Sequence, residues 1–194
     1  MQNLSLNLPI NDYLMTPVSC EKVFSPEECQ KLIELPCSYQ KYGETMQATG
    51  EHKEVRDFSI RYTMSKYVDH LPENEWVFAR IHQLVKEINQ ETFKFRLLGF
   101  PNLQILEYPL NGFYRMHTDL GQGVHSTRKL SVVTLLSDPK DFEGGELMGA
   151  DEEPIPLSQG MVVMFPAYLP HQVKPVLSGK RYSMVTWVLG PPYQ

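Results

Sequence analysis

The chain has 194 residues, 42% of them apolar and 21% charged, and a formal net charge of -5. A chain of this length buries roughly 70% of its unfolded surface, so one core forms without staples. The composition excludes a disordered or fibrous protein. The acidic balance offers no basic patch for nucleic acid, and no run of about 18 apolar residues is present to span a membrane.

The first residues, MQNLSLNLPIND, lack the basic start and apolar run of a signal peptide. Three cysteines, Cys20, Cys29 and Cys37, form no C-x-x-C pair and have no interleaved histidine. They read as reduced thiols of a cytoplasmic protein. In "VFSPEECQKLIEL", Ser25 caps a helix, Pro26 suits its first position and Glu28 completes a capping box, which predicts a helix from Pro26 to about Leu35, ended by Pro36. The polar stretch 37–59 reads as a loop or ragged strands and as a candidate lid. Val77, Ile81, Leu84, Val85 and Ile88 recur at helical spacing and predict a second helix over 73–90, with His82 on its polar side.

From residue 92 onward, short β-rich runs alternate with Gly, Pro and Asp turns. Strands are predicted near 93–97, 103–108, 113–117, 129–137, 145–148, 161–165, 171–176 and 181–189. The expected class is α+β, mainly β: a jelly-roll core over about 93–190, with helical support over about 1–92 packed outside it, in a single domain spanning 1–194.

One pair in this half carries chemistry. "FYRMHTDLGQG" places His117 and Asp119 two residues apart, so at a strand end both side chains leave the same face. A lone pair of this kind is weak evidence. His171, 52 positions after Asp119 and just beyond the strand-like "MVVMF", adds a second imidazole. Two imidazoles and one carboxylate suit non-haem Fe(II), with positions left for an oxidant and a co-substrate, and the lack of thiolate ligands argues against structural zinc. In "KRYSMVTWVLG", alternation puts Arg181 on one face with Ser183, Val185, Trp187 and Leu189. A cation among such neighbours needs an anion, either a protein carboxylate or that of a bound small molecule.

The motifs "LQILEYPLNGFYRMHTD", "RKLSVVTLLSDPKDFEGGEL" and "GMVVMFPAYLPHQVKPVLSGKRYSMVTWV" resemble the 2-oxoglutarate- and Fe(II)-dependent dioxygenases of the prolyl 4-hydroxylase superfamily, within it the PKHD-type hydroxylases. The resemblance covers most of the chain and thins between 37 and 75. It implies that His117, Asp119 and His171 ligate iron and that Arg181 binds the 5-carboxylate of 2-oxoglutarate, with Tyr108 as a second anchor. Ser183, next to Arg181 on the same face, adds a hydrogen bond, and Gln104 shares a strand face with Tyr108. The expected activity is hydroxylation of an unactivated C–H bond, first of a prolyl residue in a protein or peptide. A free amino acid or small metabolite is the alternative substrate, and a non-catalytic cupin-like metal-binding protein the alternative class. Ascorbate is a further expected cofactor.

Two departures stand out. Collagen-type members carry lysine where this chain has Arg181 and tyrosine where it has Leu135, and PKHD-type members commonly have glutamine at the latter. "DFEGGEL" reads as a turn and His125 as a loop residue near the substrate. The oligomeric state is not legible.

Overall fold

The computed structural model describes residues 10–36, 40–46 and 54–193. In chain order the elements are β1 (Val18–Cys20), α1 (Pro26–Glu34), β2 (Gln40–Tyr42), β3 (Thr45–Met46), β4 (Glu54–Val55), β5 (Arg61–Tyr62), β6 (Met64–Val68), α2 (Glu75–Glu91), β7 (Leu103–Tyr108) and β8 (Phe113–His117). They continue with β9 (Arg128–Leu135), β10 (Phe142–Gly144), β11 (Leu147–Met148), β12 (Val162–Pro166), β13 (His171–Val173), β14 (Val176–Gly179) and β15 (Arg181–Leu189). The part of the candidate lid at 37–39 and 47–53 lies outside the described residues.

The strands form a jelly roll. A major sheet in the order β1-β12-β9-β15-β7-β6-β2 faces a minor sheet in the order β11-β13-β8-β5, and β10 pairs with β14. All of the pairings are antiparallel.

Strand alternation divides the core into two layers. Leu103, Ile105, Leu130, Val132, Val162, Met164, Met184 and Val188 leave the outer face of the major sheet and pack under both helices, against Cys29 and Leu32 of α1 and Val77, Phe78, Ile81 and Val85 of α2. Their neighbours Leu106, Tyr108, Val133, Val163, Phe165 and Val185 leave the inner face and meet Leu147 and Val173 of the minor sheet. Each fully buried aliphatic side chain contributes about 2 kcal/mol. The major sheet is therefore buried on both faces, and the inner layer holds the polar exceptions that form the site.

Helix α1 begins as its sequence predicts, and α2 begins at Glu75, two residues later than expected. Ser25 Oγ accepts from Glu28 N–H and the Glu28 carboxylate accepts from Ser25 N–H, completing the capping box. The C-terminal end of α1 is closed by Lys66 of β6, whose Nζ donates to the carbonyls of Ile33 and Leu35 at 2.7 and 2.8 Å. His82 is exposed on α2.

Three strand expectations are corrected. Residues 93–97 form no strand, because Lys94 takes φ 57° and the Asn89 side chain occupies both the N–H and the C=O of Phe95 at 2.9 Å. Those are the groups a ladder would need. The run 171–176 breaks into β13 and β14 at Pro175, which has no N–H to donate. The run 145–148 shortens to Leu147–Met148, because Gly144 and Gly145 both adopt positive φ. The segment before residue 92 also supplies β1, β2 and β6 to the major sheet and β5 to the minor sheet.

Candidate functional site

β8 and β13 are neighbours in the minor sheet, with His117 directly opposite His171. The chain bends after β8, and the N–H groups of Asp119 and Leu120 both donate to Ala167 O, at 2.9 and 2.8 Å. This bend turns the Asp119 carboxylate back toward the imidazoles. His117 Nε2 stands 3.7 Å from Asp119 Oδ1, and His171 Nε2 stands 3.4 Å from Asp119 Oδ2. All three ligand atoms lie within 4.8 Å of one another.

The surroundings orient these groups. His117 Nδ1 bonds Arg115 O at 2.8 Å and His171 Nδ1 bonds Leu169 O at 3.0 Å. A carbonyl only accepts, so each Nδ1 carries a proton, and each Nε2 is the ring atom turned toward Asp119. Ser131 Oγ donates to Asp119 Oδ2 at 2.6 Å. Burial, then the charge of His171, holds the His117 imidazole down at about 4, which keeps it neutral. Burial pushes the Asp119 carboxyl up, but His171, His117 and Ser131 outweigh it and bring it to about 2. Two imidazole nitrogens and one ionised carboxylate, mutually close, fit a divalent iron ion.

The triad lines a cavity between the two sheets. Its walls carry Leu106, Val133, Leu147, Val173 and Val185, and its polar lining includes Arg181, Tyr108, Ser183 and Ser131. Arg181 of β15 is opposite Tyr108 of β7, with its guanidinium carbon 5.1 Å from the Tyr108 ring centre. It is only 1% exposed, and its Nη1 donates to Ser183 Oγ at 3.2 Å. Among the described residues no carboxylate lies within ion-pair distance of it. Burial lowers its proton affinity, yet a guanidinium stays charged. Burial also pushes the Tyr108 phenol up, so it remains a neutral donor.

Other expected residues fall elsewhere. Gln104 shares its strand face with Tyr108 but does not line the cavity, and neither does His125. Leu135 sits opposite Ser183 and, with Arg181 and Leu147, lines a separate pocket behind the guanidinium. Gly145 proves to be more than a turn residue: a Cβ there would come within 2.9 Å of Arg181 Cδ.

Sequence reasoning passed over Ser131, Arg61 and Tyr114. Tyr114 stacks on His117 at 3.5 Å between ring centres, and the Arg61 guanidinium lies 4.6 Å above Tyr114. The signal for Ser131 was available: it is a polar residue on the same strand face as Val133 and Leu135.

A jelly roll that presents two imidazoles and one carboxylate to a single point is an arrangement suited to non-haem iron. Residues 103–189 match the model of the 2OG-Fe(II) oxygenase superfamily. That segment carries the whole triad and Arg181, and through it the chain is similar to this superfamily. A PKHD-type hydroxylase of Psychrobacter sp. strain PRwf-1 is 41% identical over 90 residues, covering 42% of this chain and 35% of the relative. The chain thus aligns with about a third of the length of that curated relative. Among solved structures, a prolyl-4-hydroxylase from Pseudomonas putida shares the fold with a TM-score of 0.65 at 21% identity, over 90% of this chain and 92% of the other. A viral collagen prolyl hydroxylase from Paramecium bursaria Chlorella virus-1, solved as a 2OG complex, gives 0.66 at 17% identity, over 90% and 96%. No helix among the described residues is long and apolar enough to cross a membrane.

Proposed function

We propose that this chain is a 2-oxoglutarate- and Fe(II)-dependent dioxygenase that hydroxylates an unactivated C–H bond, with a prolyl residue of a protein or peptide as substrate. The observation that carries the reading is Arg181, a buried guanidinium with no ion pair among the described residues, in the same cavity whose mouth holds two imidazoles and a carboxylate. A metal-binding protein without turnover has no use for so costly a group. The prolyl assignment draws on the likeness to the two prolyl hydroxylases above.

In this reading His117, Asp119 and His171 hold the iron through Nε2, a carboxylate oxygen and Nε2. When bound, the iron supplies the oxygen-activating redox chemistry that couples decarboxylation of 2-oxoglutarate to succinate and CO2 with hydroxylation of the substrate. Arg181 binds the far carboxylate of 2-oxoglutarate in a planar, two-point fashion. Ser183 already accepts from Arg181, so its own hydroxyl proton is free to donate to that carboxylate, and the neutral Tyr108 phenol donates beside it. Ser131 keeps Asp119 ionised and oriented. Leu106, Val133, Leu147, Val173 and Val185 exclude water from the co-substrate and strengthen its contacts. No side chain is needed as a nucleophile.

The test is succinate release from 2-oxoglutarate with Fe(II), ascorbate as reductant and proline-containing peptides, with mass spectrometry for the gain of one oxygen atom. His117→Ala and Arg181→Ala should each lower succinate release about 100-fold or more. Intact turnover in both variants would remove the assigned site. Tight metal binding without succinate would favour the cupin-like alternative.

A further inference from the structure

Arg61 has no role in the reading above, yet it lines the same cavity and is only 7% exposed. β5 brings it there, pairing Arg61 with Tyr114 of β8. Its guanidinium lies over the Tyr114 ring, which in turn stacks on His117, so the charge sits about two ring layers from a proposed iron ligand. Nε donates to Thr63 Oγ1 at 2.9 Å and Nη1 to Glu44 O at 3.1 Å. The backbone at Gly43 closes over this arrangement, since a side chain there would collide with Arg61 Nε and Thr63 Oγ1. These contacts fix the guanidinium in place and leave its charge unneutralised. Among the described residues Arg61 makes no ion pair with a carboxylate, and the adjacent Glu44 side chain is engaged by Lys41.

The charge balance of the cavity then decides what is missing. Its charged lining groups are Arg61, Arg181 and Asp119. Asp119 offsets one guanidinium, and a divalent iron ion offsets the dianion 2-oxoglutarate. One positive charge remains, fixed beside the reaction centre in a site shielded from water, where an unpaired charge is costly.

We infer that Arg61 is a specificity-determining residue that binds a carboxylate of the primary substrate, so that the preferred substrate is an anion. This rests on the proposed function and names its substrate class more closely. The carboxylate has three possible sources, an acidic residue flanking the target, a C-terminal carboxylate beside it or the carboxylate of a free amino acid, and all three share the chemistry that Arg61 recognises.

The test uses the full chain loaded with Co(II), which keeps turnover off. Calorimetry first measures 2-oxoglutarate binding, then the binding of matched probes: proline tripeptides with Glu or Gln beside the proline, peptides ending in Pro as acid or amide, and L-proline against L-prolinamide. At least one carboxylate probe should bind about tenfold tighter than its neutral partner, and the member that does identifies the source. That ratio should fall to about one in Arg61→Gln and partly recover in Arg61→Lys. Equal binding of every matched pair by the wild type overturns the inference without requiring any variant to fold. So does a preference that survives Arg61→Gln, or an Arg61→Gln variant that loses 2-oxoglutarate affinity while keeping the probe ratio. Failure of the Co(II)-loaded wild type to bind 2-oxoglutarate sinks the proposed function along with this inference, whereas normal 2-oxoglutarate binding with no carboxylate preference sinks this inference alone.

Discussion

Ser131 shows how one hydroxyl can govern a proposed metal centre from outside its ligand set. Its hydrogen bond fixes Asp119 Oδ2 at 2.6 Å and helps keep the buried carboxyl ionised. Ser131→Ala should leave the fold intact and weaken Mn(II) or Co(II) binding about tenfold or more, read by metal titration of the apoprotein. Gly145 acts on the other end of the cavity. Its φ of 67° and its closeness to Arg181 Cδ mean that a methyl group both strains the turn and displaces the guanidinium. Gly145→Ala should raise the KM for 2-oxoglutarate about tenfold while leaving metal affinity unchanged, which steady-state kinetics and metal titration separate. A single glycine in an apparent turn thus has its meaning in a side chain 36 positions away, and nothing in its local sequence says so.

At the scale of elements, the two helices are tied to each other as well as to the sheet. Arg80 of α2 forks onto Glu28 of α1 at 2.6 and 2.8 Å, while the same carboxylate closes the capping box. The Arg80 hydrogen bonds, with the Ser25 N–H next, hold Glu28 below the ordinary glutamate value of 4.5. A carboxyl whose folded pKa is depressed stabilises the fold above its unfolded pKa and loses that contribution as pH falls through the folded value. Glu28→Gln should therefore cost about 1 kcal/mol at neutral pH, since both side chains are about a third exposed and the ion pair is screened. The difference between variant and wild type should shrink in urea melts taken progressively below pH 4.5. A pH-independent difference would assign the cost to packing alone.

For the molecule as a whole, a metal that binds only the folded state adds to its stability. Mn(II) at about 100 times its Kd should contribute about 2.7 kcal/mol. For a chain of this size that raises Tm by roughly 5–10 °C, and His171→Ala should abolish the rise in a thermal melt.

The elements that follow local rules were legible in the chain. Helix α1 carries its own cap and stop, α2 its apolar stripe, and β7, β8 and β15 their alternation. The order His-x-Asp, then His, then Arg, together with the resemblance in the C-terminal half, marked the groups proposed to hold metal and co-substrate. What escaped was everything set by a partner far away in sequence. β1, β5 and β6 are short and weakly patterned, and they exist as strands because β12, β8 and β7 offer unpaired edges. Residues 93–97 have strand-like composition, but Asn89 claims the backbone of Phe95 first. Arg61 drew no reading from its local sequence, and only the pairing of β5 with β8 brings it to the cavity. By itself, then, the sequence determined the residue types, their order and the face each occupies on its own element, because those depend on contacts within a few residues. Only the tertiary structure decided that His171 faces His117, that Gly145 braces Arg181, and that a second buried guanidinium stands beside the proposed iron site. Closing two sheets over one cavity joins residues whose separation along the chain carries no signal of their contact.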